Sequence, residues 1–308
     1  MKERSTPLVS ILIAAFNSEQ YVLQTIDSCL DQEFDNYEIV ISDDNSTDNT
    51  WKIIEQVNSD KITKYRQQKN LGEYPNRNFL IEKARGEYVI FIDGEDLLYT
   101  NALLAFNNYA RRYPNAGLFI AKEWDEKIIF PASITPTVFA CMEFIGYGVI
   151  GLNFTRLFLK REYLLLHNSF SGTDTKLGDV YVQYLIGLKY ETVLIPEGFS
   201  WWRRRGGQAS EDILNDVLLS QSEINKFTPG MIIGITGISD NEKKIMLINY
   251  YGSIMRKLLY RLLKFDFAGV TQYCRLHPVP GKYITSFLKR PIRNYMDQFS
   301  GENPLKND

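Results

Sequence analysis

Asp93, Glu95 and Asp96 crowd around Gly94 in the stretch Asp93-Gly94-Glu95-Asp96. Carboxylates on so tight a turn repel one another unless a cation sits among them, and hard divalent ions take oxygen ligands of this kind. The same residues also read as a solvated acidic turn capping a helix that begins at Asp96 or Thr100. A second cluster, Asp43-Asp44-Asn45-Ser46-Thr47-Asp48, is open to the same two readings. Turn and cap chemistry accounts for Asn45 to Asp48 but not for two consecutive acids before them, and Asp44 could accept hydrogen bonds from a nucleotide's base or ribose. Trp201-Trp202-Arg203-Arg204-Arg205-Gly206-Gly207 sets aromatics and cations beside paired glycines. That composition suits a lid whose Arg205 meets a diphosphate, or a solvated basic loop. His167 and His277 are the only histidines, so no histidine metal cluster is available and both are read as structural.

The elements that must position these residues follow from apolar spacing. Leu8 to Phe16 is a near-continuous apolar run, as expected of a strand buried on both faces. Tyr21, Val22, Ile26, Cys29 and Leu30 keep one helical face apolar, Tyr37 to Ser42 reads as a second strand, and Asn49 to Val57 as a second helix capped by Ser46, Thr47 or Asp48. Ile62 to Arg66 is a third strand, Asn76 to Ala84 a helix with Gly86 at its C-terminal stop, and Tyr88 to Ile92 a fourth strand running into Asp93. Alternating strands and helices predict a doubly wound α/β domain with a mostly parallel sheet, whose ligands bind beyond the carboxyl ends of the strands. Both acidic clusters fall at such ends. After Pro114 the pattern loosens, with helical segments at Lys160 to Leu166 and Val180 to Leu188, and beyond Ser210 the chain reads as helices.

Composition narrows the classes. A hydrophobic content of 44% over 308 residues supports a sizeable core. A formal charge of -2, from 35 basic and 37 acidic residues, argues against nucleic acid as a global partner. Cys29, Cys141 and Cys274 are odd in number and widely spaced, which suggests neither a disulfide framework nor a zinc site and fits a reducing cytoplasm. The N-terminal apolar run lacks a small-residue cleavage site, and Phe144 to Phe154 is too short to span a bilayer. No GxGxxG follows the first strand, which excludes a dinucleotide-binding oxidoreductase.

Three blocks in order, Val9-Ser10-Ile11-Leu12-Ile13-Ala14-Ala15-Phe16-Asn17, Glu38 to Asp48 and Ala84 to Asp96, resemble the successive signatures of family 2 glycosyltransferases of the GT-A fold. The resemblance is strong over the first third of the chain and continues more weakly to about Ser210. It implies an inverting, hexosyl-type transfer from a nucleotide-diphosphate sugar, UDP-linked, to a saccharide or polyprenyl-linked acceptor in bacterial surface polysaccharide synthesis. Residues 1–115 would form the nucleotide-sugar half of the domain, 116–210 the acceptor half and 211–308 a C-terminal helical extension. Ala14, Ala15, Phe16 and Asn17 would line the nucleotide pocket with Asp43, Asp44 and Gly94, and Asp44 would contact the base. Asp93 and Glu95 would form the DxD-type element for Mn²⁺ or Mg²⁺, and Arg77 beside Asn78 would face the diphosphate. The chain departs from the pattern where Ala14 and Ala15 replace Pro or Thr, and where Glu95 replaces Asp. A glutamate is one methylene longer and still ligates a hard cation.

Inversion needs a general base for the acceptor hydroxyl. Asp179 opens an apolar helix much as the family's base does, with Asp174 as the fallback. The competing reading makes Asp179 a charge complement to that helix's N-terminus. In the lid, the family's tyrosine-arginine pair and following histidine correspond to Trp202-Arg203 and then Arg205. Arginine cannot ligate a metal, so Arg205 would neutralise phosphates directly. Residues 250–299 are basic and interleaved with Met255, Leu258, Leu259, Leu262, Leu263, Phe265 and Phe267. That segment suits an anionic membrane surface, and hence a peripheral enzyme at the inner face of the plasma membrane; packing of its apolar face on the rest of the chain is the alternative. A non-catalytic nucleotide-sugar or carbohydrate-binding protein on the same fold is the competing function, with Glu95 and the absent lid histidine as signs of lost catalysis.

Overall fold

The apolar run at the start of the chain forms β1 (Val9–Ala15), and six of its seven residues are buried. It lies between two parallel neighbours, β2 (Tyr37–Asp43) and β4 (Tyr88–Asp93). In this computed structural model the described residues are 6–123, 125, 128–146, 148–151, 153–170, 175–203 and 217–288. The remaining strands are β3 (Ile62–Arg66), β5 (Leu97–Leu98), β6 (Leu118–Ala121), β7 (Ala132–Ile134), β8 (Leu157–Lys160), β9 (Thr192–Ile195) and β10 (Ser200–Trp201). Eight of these form one sheet in the order β3-β2-β1-β4-β8-β6-β9-β7. It is mostly parallel, with β8 antiparallel to both β4 and β6. The order reverses between β1 and β4, the crevice in which α/β sheets of this type bind ligands.

The first helices are α1 (Val22–Leu30), α2 (Thr50–Gln56), α3 (Glu73–Lys83) and α4 (Ala102–Arg112). In α1 the buried side chains Val22, Thr25, Ile26 and Cys29 recur at helical spacing and close over the sheet. On the same core, Phe106 of α4 stacks on Phe158 of β8 at 3.8 Å between centroids. Glu38 is buried within β2, yet its carboxylate accepts from Ser10 Oγ at 2.7 Å and from the backbone and guanidinium of Arg85. A buried acid so partnered costs the fold little.

Two expectations are corrected. Gly86 is not the left-handed stop of α3: the helix ends at Lys83, and Ala84 is extended. Gly86 is instead demanded by close approach, since a Cβ there would stand 2.5 Å from Ser10 N, and its own N–H donates to Ser10 Oγ at 2.8 Å. Gly86→Ala is therefore expected to cost about 2–3 kcal/mol, read as a lower urea midpoint at unchanged slope. A loss below about 0.5 kcal/mol would show that the contact relaxes freely. The turn after β4 does not run directly into a helix either. Leu97 and Leu98 pair antiparallel with Ser200 and Trp201, and α4 starts only at Ala102.

By internal packing the chain divides into one unit of residues 1–133, 151–173 and 190–204, and another of 134–150, 174–189 and 205–308. This is a division by contacts, whereas the three stretches expected from the sequence are divided by role. In the first unit, α6 (Arg161–Leu166) follows β8. The second contains α5 (Pro136–Phe144), α7 (Gly178–Gly187), α8 (Val217–Asn225), α9 (Thr228–Gly234), α10 (Asp240–Leu263) and α11 (Phe267–Leu276). Helix α10 opens on a capping box between Ser239 and Glu242. Its Tyr251, Ile254 and Leu258 pack with Leu218, Tyr273 and Tyr283 into a separate core. Part of the apolar tail is thus internal, while Leu263, Phe265 and Phe267 stay exposed. Among the described residues no helix is long and apolar enough to cross a membrane.

Candidate active site

The register of the three central strands brings the acidic clusters together. Ala15 lies opposite Asp43, and Ala14 opposite Asp93, at the carboxyl ends of adjacent parallel strands. Gly94 N donates to Ala14 O at 3.0 Å and Asp44 N to Ala15 O at 2.9 Å, so both clusters are stitched to the end of β1. Asn17 completes that edge in the left-handed region at φ 49°, its side chain accepting from Thr47 N at 2.9 Å. Phe16 beside it is about half exposed.

Neither acid of the pair after β2 is a solvated turn residue. Asp43 is fully buried, held by Ser46 and by Arg66 at 3.5 Å; burial pushes its carboxyl above the ordinary value while Ser46 and Arg66 oppose the shift. Asp44 is also buried, and its two oxygens accept from the backbone of Leu71 at 2.7 Å and Gly72 at 2.9 Å. Gly72, at φ 89°, precedes α3 in a conformation other residues rarely adopt. Asp44 thus fixes the loop that launches α3, a role the sequence did not suggest.

That helix delivers Arg77, which is 2% exposed. Its guanidinium bonds Asp93 at 2.6 Å and Glu73 at 3.3 Å, and lies over the rings of Phe154 and Phe91 at 4.2 and 5.2 Å. Burial works against its charge, but Asp93 and then Glu73 hold its pKa above the ordinary arginine value. Its Nε and Nη1 are buried without a hydrogen-bond partner. Asp96 is buried as well, and its Oδ1 accepts from Arg203 N at 3.0 Å while Oδ2 has no partner. Burial, and then the neighbouring Asp93 and Glu95, push the Asp96 carboxyl up to about 8. The acidic turn is therefore a crowd of carboxyl groups in which burial disfavours ionisation of Asp96, and it is not the cap of the next helix, which starts from Asn101.

Arg203 is seated rather than extended into solvent. Its Nε donates to Glu95 O at 2.9 Å and Nη2 to Gln24 at 3.0 Å, and its guanidinium lies over Tyr21 and Trp201. It clasps the acidic turn from the β10 side, with Trp202 next to it partly buried. Sequence reasoning missed the Asp96–Arg203 contact because it joins positions 107 apart. It also missed Glu73, although an acid four residues before Arg77 on a helix is a visible pairing signal. Asn78 accepts from Phe170 N and so holds the chain after α6.

Asp179 sits in the second unit, in the first turn of α7, partly exposed, and accepts from Val180 N at 2.8 Å. Arg205 and the fallback Asp174 lie outside the described residues. His167 and His277 bond the hydroxyls of Tyr190 and Ser222, consistent with structural roles.

The donor set at the acidic turn is all oxygen, which matches Mg²⁺ or Mn²⁺ rather than a softer metal. Among the described residues no three acidic, histidine or cysteine side chains converge as a complete cage. A partial set is what such ions use when a substrate's phosphates supply the remaining ligands. The orphaned Asp96 oxygen and the raised Asp96 carboxyl fit a turn short of positive charge.

Residues 10–171 match the family model described as glycosyl transferase family 2. The chain belongs to that family. Relatives of this family 2 chain include the Escherichia coli UDP-Glc:alpha-D-GlcNAc-diphosphoundecaprenol beta-1,3-glucosyltransferase WfaP, 38% identical over 96 residues, 31% of this chain and 38% of that protein. The putative teichuronic acid biosynthesis glycosyltransferase TuaG of Bacillus subtilis is 37% identical over 92 residues, 29% of this chain and 36% of its own length. The chain thus spans well under half the length of these curated relatives. Among solved structures, residues 1–349 of Staphylococcus aureus TarS superpose with TM-score 0.64 at 16% identity, over 88% of this chain and 81% of that one. The Pyrobaculum calidifontis mannosyltransferase PcManGT gives 0.59 at 15% identity, over 97% and 82%. These likenesses show the fold, the expected GT-A arrangement.

Proposed function

We propose that this chain is an inverting, hexosyl-type glycosyltransferase that moves a sugar from a UDP-sugar to a saccharide or polyprenyl-linked acceptor in surface polysaccharide synthesis. The observation that carries the reading is the ion pair of Asp93 with buried Arg77 at the strand-order reversal, beside Glu95 and Asp96 on the same turn, in a family 2 chain. Support for UDP comes from relatives and neighbours: WfaP is named for UDP-Glc, and TarS has been solved with UDP and with UDP-GlcNAc. WfaP and a Campylobacter jejuni glucosyltransferase are both named for undecaprenol-linked acceptors, which motivates a lipid-linked acceptor and a peripheral site of action at the inner face of the plasma membrane.

In this mechanism Ala14 to Asn17, Asp43, Asp44 and Gly94 form the nucleotide edge. Asp93 and Glu95 would hold a divalent cation of the kind with which PcManGT was solved, Mn²⁺, and the ion would supply charge neutralisation for the departing diphosphate. Arg77 balances the acid cluster and offers its unpartnered nitrogens to the same anion. Arg203 orients the acidic turn through Glu95 and Asp96, and Trp202 and Arg205 belong to the lid. Asp179 takes the proton from the acceptor hydroxyl as its oxygen bonds the anomeric carbon and the bond from that carbon to the phosphate oxygen breaks.

Calorimetric titration with UDP, and with GDP as comparator, in Mn²⁺ and then in EDTA tests the donor site. UDP is expected to bind only with metal, and Asp93→Ala to weaken it by at least the roughly 10–100-fold that loss of even an outer-shell partner costs. Failure of both nucleotides to bind under every condition removes the donor site and leaves the fold without this function.

A further inference from the structure

Helix α10 ends in a Schellman motif: Asp266 N donates to Arg261 O and Phe265 N to Leu262 O, each at 3.0 Å. The residue that must then turn left-handed is ordinarily glycine, because a side chain there costs about 1 kcal/mol. Here it is Phe265, at φ 61°, and its ring is 81% exposed. The fold gains no buried area from that ring in return for the strain. An ion pair between Arg261 and Asp266 at 2.7 Å fixes the corner, and Phe267, 59% exposed, follows with its ring centroid 6.3 Å from that of Phe265. Leu259 and Leu263 extend the patch back along α10, four residues apart and therefore on one face, with Leu263 71% exposed. Leu259 also lines an apolar groove of about 420 Å³ running between α10 and α11.

Single exposed apolar residues need no explanation, but a contiguous group at one corner does. Its charge selects the partner. Arg256, Lys264, Arg275 and Lys282 are exposed on the surrounding helices, whereas Asp266, already paired with Arg261, is the one acid between Tyr250 and Leu288. A second copy of this surface would bring like charges together, which disfavours self-association. Anionic phospholipid satisfies both features, each Lys or Arg near such a surface contributing roughly 1 kcal/mol.

We propose that the corner joining α10 and α11 inserts Leu263, Phe265 and Phe267 into the headgroup boundary of an anionic membrane, with the four exposed cations resting on the phosphates. The surface deepens the reading given above of a lipid-linked acceptor and rests on that reading for its purpose, although lipid binding is measured without it.

The discriminating variant is Phe265→Gly, which removes the ring and relieves the left-handed strain together. The full chain is sedimented with vesicles of phosphatidylcholine alone and of phosphatidylcholine mixed with phosphatidylglycerol. It is expected to partition onto the anionic vesicles only, less so as salt rises. Phe265→Gly is expected to lower that partition coefficient about tenfold with a melting temperature equal to or above the parent's. Titration with UDP is expected to be unchanged, so failure of the donor site shows in the parent's nucleotide binding and failure of the membrane surface in the vesicles. The proposal is overturned if the parent ignores anionic vesicles, if Phe265→Gly partitions as the parent does, or if that variant instead turns a dimer into a monomer.

Discussion

Asp179→Asn is expected to lower the rate of sugar transfer by about 10²–10⁴-fold, the range a positioned general base contributes. The substitution is nearly isosteric, and an asparagine oxygen can still accept from Val180 N as Asp179 does. It therefore separates two roles that both fit an acid in the first turn of α7. If Asp179 serves only the helix, Asn preserves most of its value, and Asp179→Ala costs on the order of 1 kcal/mol of stability with transfer little changed. If it is the base, Asn and Ala both stop transfer while the urea midpoint moves little for Asn. The measurement is turnover of a UDP-sugar that binds the parent chain, with UDP affinity determined alongside. Transfer by Asp179→Asn within about threefold of the parent, at equal nucleotide affinity, would move the base elsewhere, with Asp174 the next to substitute.

The first third of the chain was legible because its signals are local. Strands β1, β2 and β4 are buried on both faces, so each reads as a largely apolar run, interrupted by Ser10 in β1 and by Glu38 and Ser42 in β2, and the change to Asp and Asn marks the carboxyl end where a parallel sheet gathers its ligands. Boundaries set by tertiary contact were not legible. Gly86 follows a helix and has the type of a helix stop, but its reason is the approach of β1, more than 70 residues earlier in the chain. Leu97–Leu98 is too short to announce a strand, and exists because Ser200–Trp201 pairs with it.

Within the site, residue types were readable and partners were not. The acids of Asp93-Gly94-Glu95-Asp96 could be picked out, whereas the burial of Asp96 depends on Arg203, and the seating of Arg203 depends on Gln24, Tyr21 and Trp201. Asp44 shows the same limit from the other side. Its position suggested an acceptor facing a base, and both its oxygens are engaged by the loop before α3. A carboxylate has further lone pairs, so a base contact would be added to a structural duty and not replace it. The tail divides by the same logic: Leu258 and Leu263 are alike in type, but only contacts from Tyr273 and Tyr283 decide that the first is internal.

Arg77→Met is expected to destabilise the chain by about 2–3 kcal/mol and to weaken UDP binding as well. Methionine keeps much of the apolar stem against Phe91 and Phe154 and removes the charge, so the loss reports electrostatics more than packing. Breaking a fully buried ion pair costs roughly 3–5 kcal/mol, because the abandoned partner cannot be hydrated. Here the partners are not so trapped: the Asp93 and Glu73 side chains are 38% and 46% exposed. Water can reach both once the guanidinium is gone, which places the cost at the lower figure. Arg77→Lys supplies the second comparison, since one ammonium can replace the single Nη2 that bonds both Asp93 and Glu73 but has no planar group to lie on Phe154 and no counterpart of Nε and Nη1. It should fall between the parent and Met in stability, yet resemble Met in nucleotide affinity if the orphaned Nε and Nη1 are what an anion meets. A Lys variant that regains full UDP affinity would assign Arg77 to charge balance alone. Stability is read from urea midpoints at constant slope, and binding from the calorimeter in Mn²⁺. The two readouts together separate the residue that holds the acidic turn in place from the residue that receives the diphosphate.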